Sequence, residues 1–169
     1  MTTQLSLLTA VLPGREDPLR AYLSALLTDD LSPFASVAGT HNGRWVVMST
    51  DPEPAARYRA GGLPAPMLMC SAVIDESPDA WLADLLAVLG ERADEIWSHC
   101  AGWGQATDKA AFLMSHRVPA TLAFRTWEAP AARIRTALAN HRRVAALAVR
   151  VQHLGATDLL RAYREEMDG

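Results

Sequence analysis

Four apolar runs of strand length do most to limit what this chain can fold into: residues 5–12 (LSLLTAVL), 41–48 (HNGRWVVM), 67–75 (MLMCSAVID) and 120–127 (ATLAFRTW). Turn-forming residues close the first two, Pro13-Gly14 and Asp51-Pro52-Glu53-Pro54, and no run approaches the roughly 20 apolar residues of a membrane span. Helical stripes fill the intervals. Asp17 reads as an N-cap before Pro18, with Leu19, Tyr22, Leu23 and Leu26 at helical spacing. Ser77-Pro78-Asp79 repeats that opening ahead of Trp81, Leu82, Leu85, Leu86 and Leu89, and residues 91–100 add a further helical turn or two. Thr107-Asp108 opens a short helix carrying Phe112, Leu113 and His116. Past Pro130 the chain is alanine-rich and helical, with Ile134, Leu138, His141 and Ala145 in register; Thr157 caps a last helix with Leu159, Leu160 and Tyr163. Residues 55–66, rich in Gly, Pro and Arg, read as a loop or lid.

The order strand, helix, strand, strand, helix, strand predicts an α+β fold, the ferredoxin-like split βαβ antiparallel sheet, as one domain over 1–169 with a helical extension at 128–169. Such a sheet carries its helices on one face. Its other face is expected to meet a second sheet or a ligand, because a bare apolar face promotes association. A homodimer is the expectation.

Charge narrows the partners. The formal net charge is −3, with 16 basic and 19 acidic residues mixed along the chain, so long-range attraction to nucleic acid or an anionic membrane has no evident source. Two cysteines are too few for a disulfide framework, and no secretory leader precedes the first run, so a cytoplasmic protein with free thiols is expected. Abundant alanine and arginine with little lysine suggests a GC-rich bacterial coding sequence. Gly61-Gly62 lacks the lysine and helix of a phosphate loop, and no paired Cys or His spacing suits zinc. No cofactor and no metal are expected.

The second run holds the sharpest chemical signal. Strand alternation puts His41 and Trp45 on one face and Asn42 and Arg44 on the other, where a core strand would carry apolar side chains. In a functional reading Arg44 clamps an anion or carbonyl and His41 moves a proton. In a structural reading Arg44 pairs with Asp75 or a helix end, and His41 satisfies backbone carbonyls. His99-Cys100 is a second candidate: a thiolate served by an imidazole is a nucleophile, but neighbours in sequence rarely bond to each other, so His116 or His41 would have to serve Cys100. The alternative is a buried small hydrophobe beside a helix-terminal histidine. Trp45, Trp97, Trp103 and Trp127, with Met48, Met67 and Met69, supply either the wall of a ligand pocket or core and interface packing. His141 and His153 read as surface or packing residues.

Pro13-Gly14 after the first strand, His41 with Arg44, Asp75 closing the third strand, and Ser98-His99-Cys100-Ala101-Gly102-Trp103 after the second helix form a pattern. Across residues 5–127 it resembles the dimeric α/β-barrel branch of ferredoxin-like proteins, which holds dye-decolourising peroxidases, chlorite dismutases and cofactor-free antibiotic-biosynthesis monooxygenases. Within that branch it is similar to a group of bacterial proteins. Glu76 stands where that pattern has glycine, and Gly104 where it has proline. The resemblance implies no haem ligand at any one position. By analogy with the monooxygenases it gives Asn42 and Trp45 a part in positioning substrate.

The leading expectation is a small-molecule enzyme, of secondary metabolism, that oxygenates, isomerises or cyclises an apolar or polycyclic substrate. His41, Arg44 and His99 would be catalytic, with Asn42, Trp45, Asp75, Trp97, Cys100 and Trp103 around the substrate. The alternative is a non-catalytic ligand-binding or assembly module, and a haem-dependent peroxidase ranks below both.

Overall fold

The computed structural model describes residues 2–26, 32–49, 63, 65–119 and 129–168. The chain divides into two compact units, Met1–Glu128 and Ala129–Gly169. The first is a mixed α+β unit whose described strands are β1 (Thr3–Ala10), β2 (Thr40–Met48) and β3 (Met67–Ile74). They form an antiparallel sheet in the order β1-β3-β2, so β3 is central and β2 lies at an edge. Residues 116–118 run beside β1, where Arg117 bridges Leu7 and the Val118 N–H donates to the Ser6 carbonyl at 2.8 Å. The expected fourth strand at 120–127 lies outside the described residues, as does most of the expected loop at 55–66.

Register sorts the sheet into two faces. Leu5, Leu7 and Thr9 of β1 stand level with Ala72, Cys70 and Leu68 of β3, and these with Gly43, Trp45 and Val47 of β2. That face is buried under helices. The opposite face, with Ser6, Leu8, Met69 and Val73, is half-buried along β1 and β3, whereas Asn42, Arg44 and Val46 on β2 are exposed.

Four helices follow the predicted stripes in the first unit: α1 (Glu16–Ala25), α2 (Pro78–Leu89), α3 (Glu91–Trp97) and α4 (Lys109–Ser115). Helix α1 begins earlier than the Asp17-Pro18 pair suggests. Its N-cap is Arg15, with no side-chain cap, and Pro18 falls inside the first turn, where a missing N–H costs no intrahelical bond. The second opening behaves as expected: the Ala80 N–H donates to Ser77 Oγ at 3.3 Å, with Pro78 next in line. Asp108 likewise accepts from the Ala111 N–H at 2.9 Å to start α4. Gly90, at φ +54, separates α3 from α2, so residues 91–97 form a helix of their own instead of extending α2.

The buried residues of the helices and the sheet make one core. Leu19 of α1, Trp81, Leu82 and Leu85 of α2, and Ile96 and Trp97 of α3 are all fully buried in it. Burying an indole also buries its N–H, which needs an acceptor. Trp81 Nε1 donates to Thr40 Oγ1 at 2.8 Å, which ties α2 to the start of β2. Tyr22 of α1 donates a short hydrogen bond to Glu95 of α3; burial, that bond and the Glu95 charge push the phenol up to about 12.

The second unit contains α5 (Ala131–Arg150) and α6 (Ala156–Asp168). Glu166 of α6 meets Arg150 at 2.9 Å and Arg143 at 3.6 Å, and these guanidiniums hold its carboxyl below the ordinary range. Helix α6 begins at Ala156, so Thr157 lies within its first turn rather than capping it. His141 and His153 are exposed. No helix among the described residues is long and apolar enough to cross a membrane.

Candidate functional site

A groove of about 570 Å³ opens beside β2, between the outer edge of the sheet, the C-terminal half of α1 and a short 3-10 helix at Pro33–Ser36. Helix α1 and its C-cap contribute Arg20, Leu23 and Leu26; the 3-10 segment contributes Pro33 and Phe34; β2 contributes Gly43 to Val47. Ser32 caps the 3-10 turn by accepting from the Phe34 N–H at 3.4 Å, and the Phe34 ring packs against β2 at Gly43 and Trp45. Phe34 and Trp45 meet with centroids 4.2 Å apart and form the apolar wall.

Gly43 makes that wall possible. A Cβ built at Gly43 would lie 2.4–2.8 Å from three carbons of the Phe34 ring, well inside any real contact. Behind the wall Phe34 stacks on Trp81 at 6.2 Å, and Trp45 meets Trp97 edge-on at 6.4 Å, so both groove aromatics are anchored in the core.

Arg20 and Arg44 are among the residues that line the groove, and none of its described lining residues is acidic. Neither arginine has an ion-pair partner among the described residues; Asp75, a possible partner for Arg44, bonds His41 instead. Arg44 is exposed on the open side of β2 and stands level with Ser71 of β3.

His41 sits elsewhere. A β-bulge between Thr40 and Asn42 breaks the alternation at that residue, so Thr40, and not His41, continues the core-facing row of Gly43, Trp45 and Val47. The expected shared face of His41 and Trp45 is therefore replaced by a bulge. Its imidazole, 2% exposed, places Nε2 2.8 Å from Oδ1 of Asp75, whose side chain is 20% exposed. An ionised carboxylate can only accept, so Nε2 carries the proton in this pair. Gly39, at φ +68, gives the chain the turn that lets its carbonyl accept from the Asp75 N–H at 3.0 Å, closing this end of the sheet.

His99 and Cys100 lie at the other end. Cys100 bridges Val11, and the Ala101 N–H donates to the Ala10 carbonyl at 2.8 Å, beyond the point where Ala10 pairs with Met67. Thr40 pairs with Ile74, so the two histidines are separated by the Met67-to-Ile74 length of β3, roughly 24 Å at about 3.4 Å per residue. The proposed set of His41, Arg44 and His99 is not brought together. Burial and the Arg15 charge lower the His99 pKa, and Nδ1 is buried without a partner among the described residues.

Neither cysteine is disposed to be a nucleophile. Burial pushes the Cys70 thiol up to about 12, only partly offset by the Trp45 indole dipole, and the Trp45 N–H itself makes no hydrogen bond of normal geometry among the described residues. Burial also raises the Cys100 thiol, against a 3.3 Å hydrogen bond from Thr9 Oγ1. Both thiols are expected to resist a thiol-specific disulfide reagent at pH 8 in the native protein and to react as two equivalents once it is unfolded. One fast equivalent in the native state would contradict this.

The remaining candidates divide. Trp97 is fully buried in the core, and Trp103 donates to Asp94 Oδ1 at 2.8 Å beneath the ammonium of Lys109, so both act in packing. Asn42 is exposed on the open face, level with Val73. Of the expected site residues, Arg44 and Trp45 come together in the groove; Gly43 joins them from the same run, and Arg20, Leu23 and Phe34 from segments whose sequence does not connect them to it. A glycine inside a strand, flanked by polar residues, was the available signal for a close approach. Among the described residues no cluster of three or more His, Cys, Asp or Glu is placed to hold a metal ion. No family model matches this sequence, and neither a curated protein nor a solved structure matches the chain.

Proposed function

We propose that this protein binds a small molecule in the groove beside β2, with an aromatic and aliphatic wall for the ligand's body and Arg44 for its polar end. The observation that carries the reading is a groove of about 570 Å³, within the usual span of ligand sites, whose wall is Phe34 stacked against Trp45. The test is titration with a neutral, environment-sensitive apolar dye. Saturable binding of one dye per chain is expected, lost in Leu26→Trp, which fills the groove. Non-saturable binding, or binding untouched by Leu26→Trp in a variant that still melts cooperatively, contradicts the reading.

The split βαβ arrangement and the homodimer belong to the same proposal. The order β1-β3-β2, with Arg117 bridged to Leu7 on the outer side of β1, is compatible with that arrangement. The half-buried face carrying Leu8, Met69 and Val73 suits a second copy.

A second reading, a cofactor-free enzyme of secondary metabolism that oxygenates, isomerises or cyclises its substrate, is favoured by one observation. The imidazole of His41 is oriented by a carboxylate at 2.8 Å, as a general base would be. Its burial at the end of the sheet, outside the groove lining, makes binding the better supported function.

A further inference from the structure

We infer that the occupant of this groove is an organic anion, a single acidic headgroup on an apolar body, held by Arg20 and Arg44 together. The inference rests on the groove being the ligand site and adds the class of ligand. The chain as a whole carries a formal charge of −3, so its overall field repels anions. Against that background the groove's described lining includes two arginines, Arg20 and Arg44, and no acidic residue.

The source of each charge makes the arrangement informative. Arg20 comes from α1 and Arg44 from β2, elements that meet across the groove. Arg20 follows Glu16 and Asp17 by four and three positions on the same helix, the spacing at which a helical ion pair forms. It makes none among the described residues, and it lines the groove instead. A guanidinium fork matches a carboxylate with two parallel N–H donors, which an ammonium or a hydroxyl cannot imitate. The hydroxyls of Ser24 and Ser32 also line the groove and offer further donors. Beyond them the lining turns apolar, with Leu23, Leu26 and the Phe34–Trp45 wall. A charged end beside an apolar wall selects an amphiphile, and a bare inorganic anion would leave that wall in water.

Calorimetric titration of the full chain with decanoate, decanol, decylamine and inorganic phosphate tests this, each amphiphile below its micellar concentration. Decanoate is expected to bind at least about tenfold tighter than decanol, since a charge-assisted hydrogen bond is worth about that factor, with decylamine and phosphate weakest. The double variant Arg20→Gln/Arg44→Gln is expected to bring decanoate down to the level of decanol and leave decanol unchanged. Both positions are exposed, so the fold should persist, and a thermal melt checks this. Decanol binding as tightly as decanoate overturns the anion inference and leaves the groove reading standing. Failure of both to bind overturns the groove reading as well. Phosphate competing as well as decanoate shows that the apolar wall has no part, and an unchanged double variant shows that the anion binds elsewhere; either result overturns the proposal.

Discussion

Gly43→Ala is expected to lower the free energy of unfolding by about 1–3 kcal/mol, the usual cost of forcing an extra methyl into packed space. The site leaves little room to relax. A Cβ there would sit 2.4–2.8 Å from the Phe34 ring, and that ring is held by Trp45 at 4.2 Å on one side and by Trp81 at 6.2 Å on another. Trp81 is itself fixed to Thr40, so the strain passes into the core. For a chain of this length each kcal/mol corresponds to about 2–4 °C in the melting temperature. Urea unfolding should show a lower midpoint with an unchanged slope. The groove wall should be disturbed with it, weakening ligand binding. A double-mutant cycle with Phe34→Ala identifies the cause, because removing the ring should remove most of the penalty at position 43. A cost below about 0.5 kcal/mol would show that Phe34 moves aside freely and that the wall is not preformed.

His41→Ala and Arg44→Ala, three residues apart on β2, are expected to have opposite profiles. The His41 side chain is 2% exposed and bonded to Asp75, so its removal leaves a cavity and a carboxylate that is only 20% exposed without this partner. That combination costs about 1–3 kcal/mol. Arg44 is exposed and has no ion-pair partner among the described residues, so Arg44→Ala should change stability by less than about 0.5 kcal/mol while weakening an anionic ligand about tenfold or more. Thermal melts and ligand titrations on the two variants separate these effects. A stable His41→Ala that loses ligand or turnover would restore the enzymatic reading.

Much of the fold was legible because its signals are local. Ser77-Pro78 and Asp108 start helices where the sequence places them, since an N-cap acts through its own next three residues. Asp17-Pro18 misleads by two residues at the N-cap, because proline is tolerated throughout the first turn of a helix as well as at its first position. The site was harder to read. Alternation predicts a side for every residue of β2, but the bulge at His41 resets it, and nothing in the run HNGRW announces where pairing with β3 slips. Asp75 was anticipated as an acid near this strand, yet its partner is His41 and not Arg44, a choice made by the position of the sheet's end. His41 and His99 looked like members of one site because sequence gives no distance along β3. Phe34 and Arg20 carry no local signal of the groove, because tertiary packing, not spacing, brings them to β2.

Amide chemical-shift mapping of the uniformly labelled protein with decanoate tests the groove most directly. The perturbations should concentrate at Leu23 of α1, Leu26, Phe34, and Gly43 to Val47 of β2, and should need about tenfold more decanoate to appear in Arg20→Gln/Arg44→Gln. Perturbations confined to Leu8, Met69 and Val73 on the sheet's other face, or to His99 and Cys100 at its far end, would place the ligand elsewhere and contradict the account.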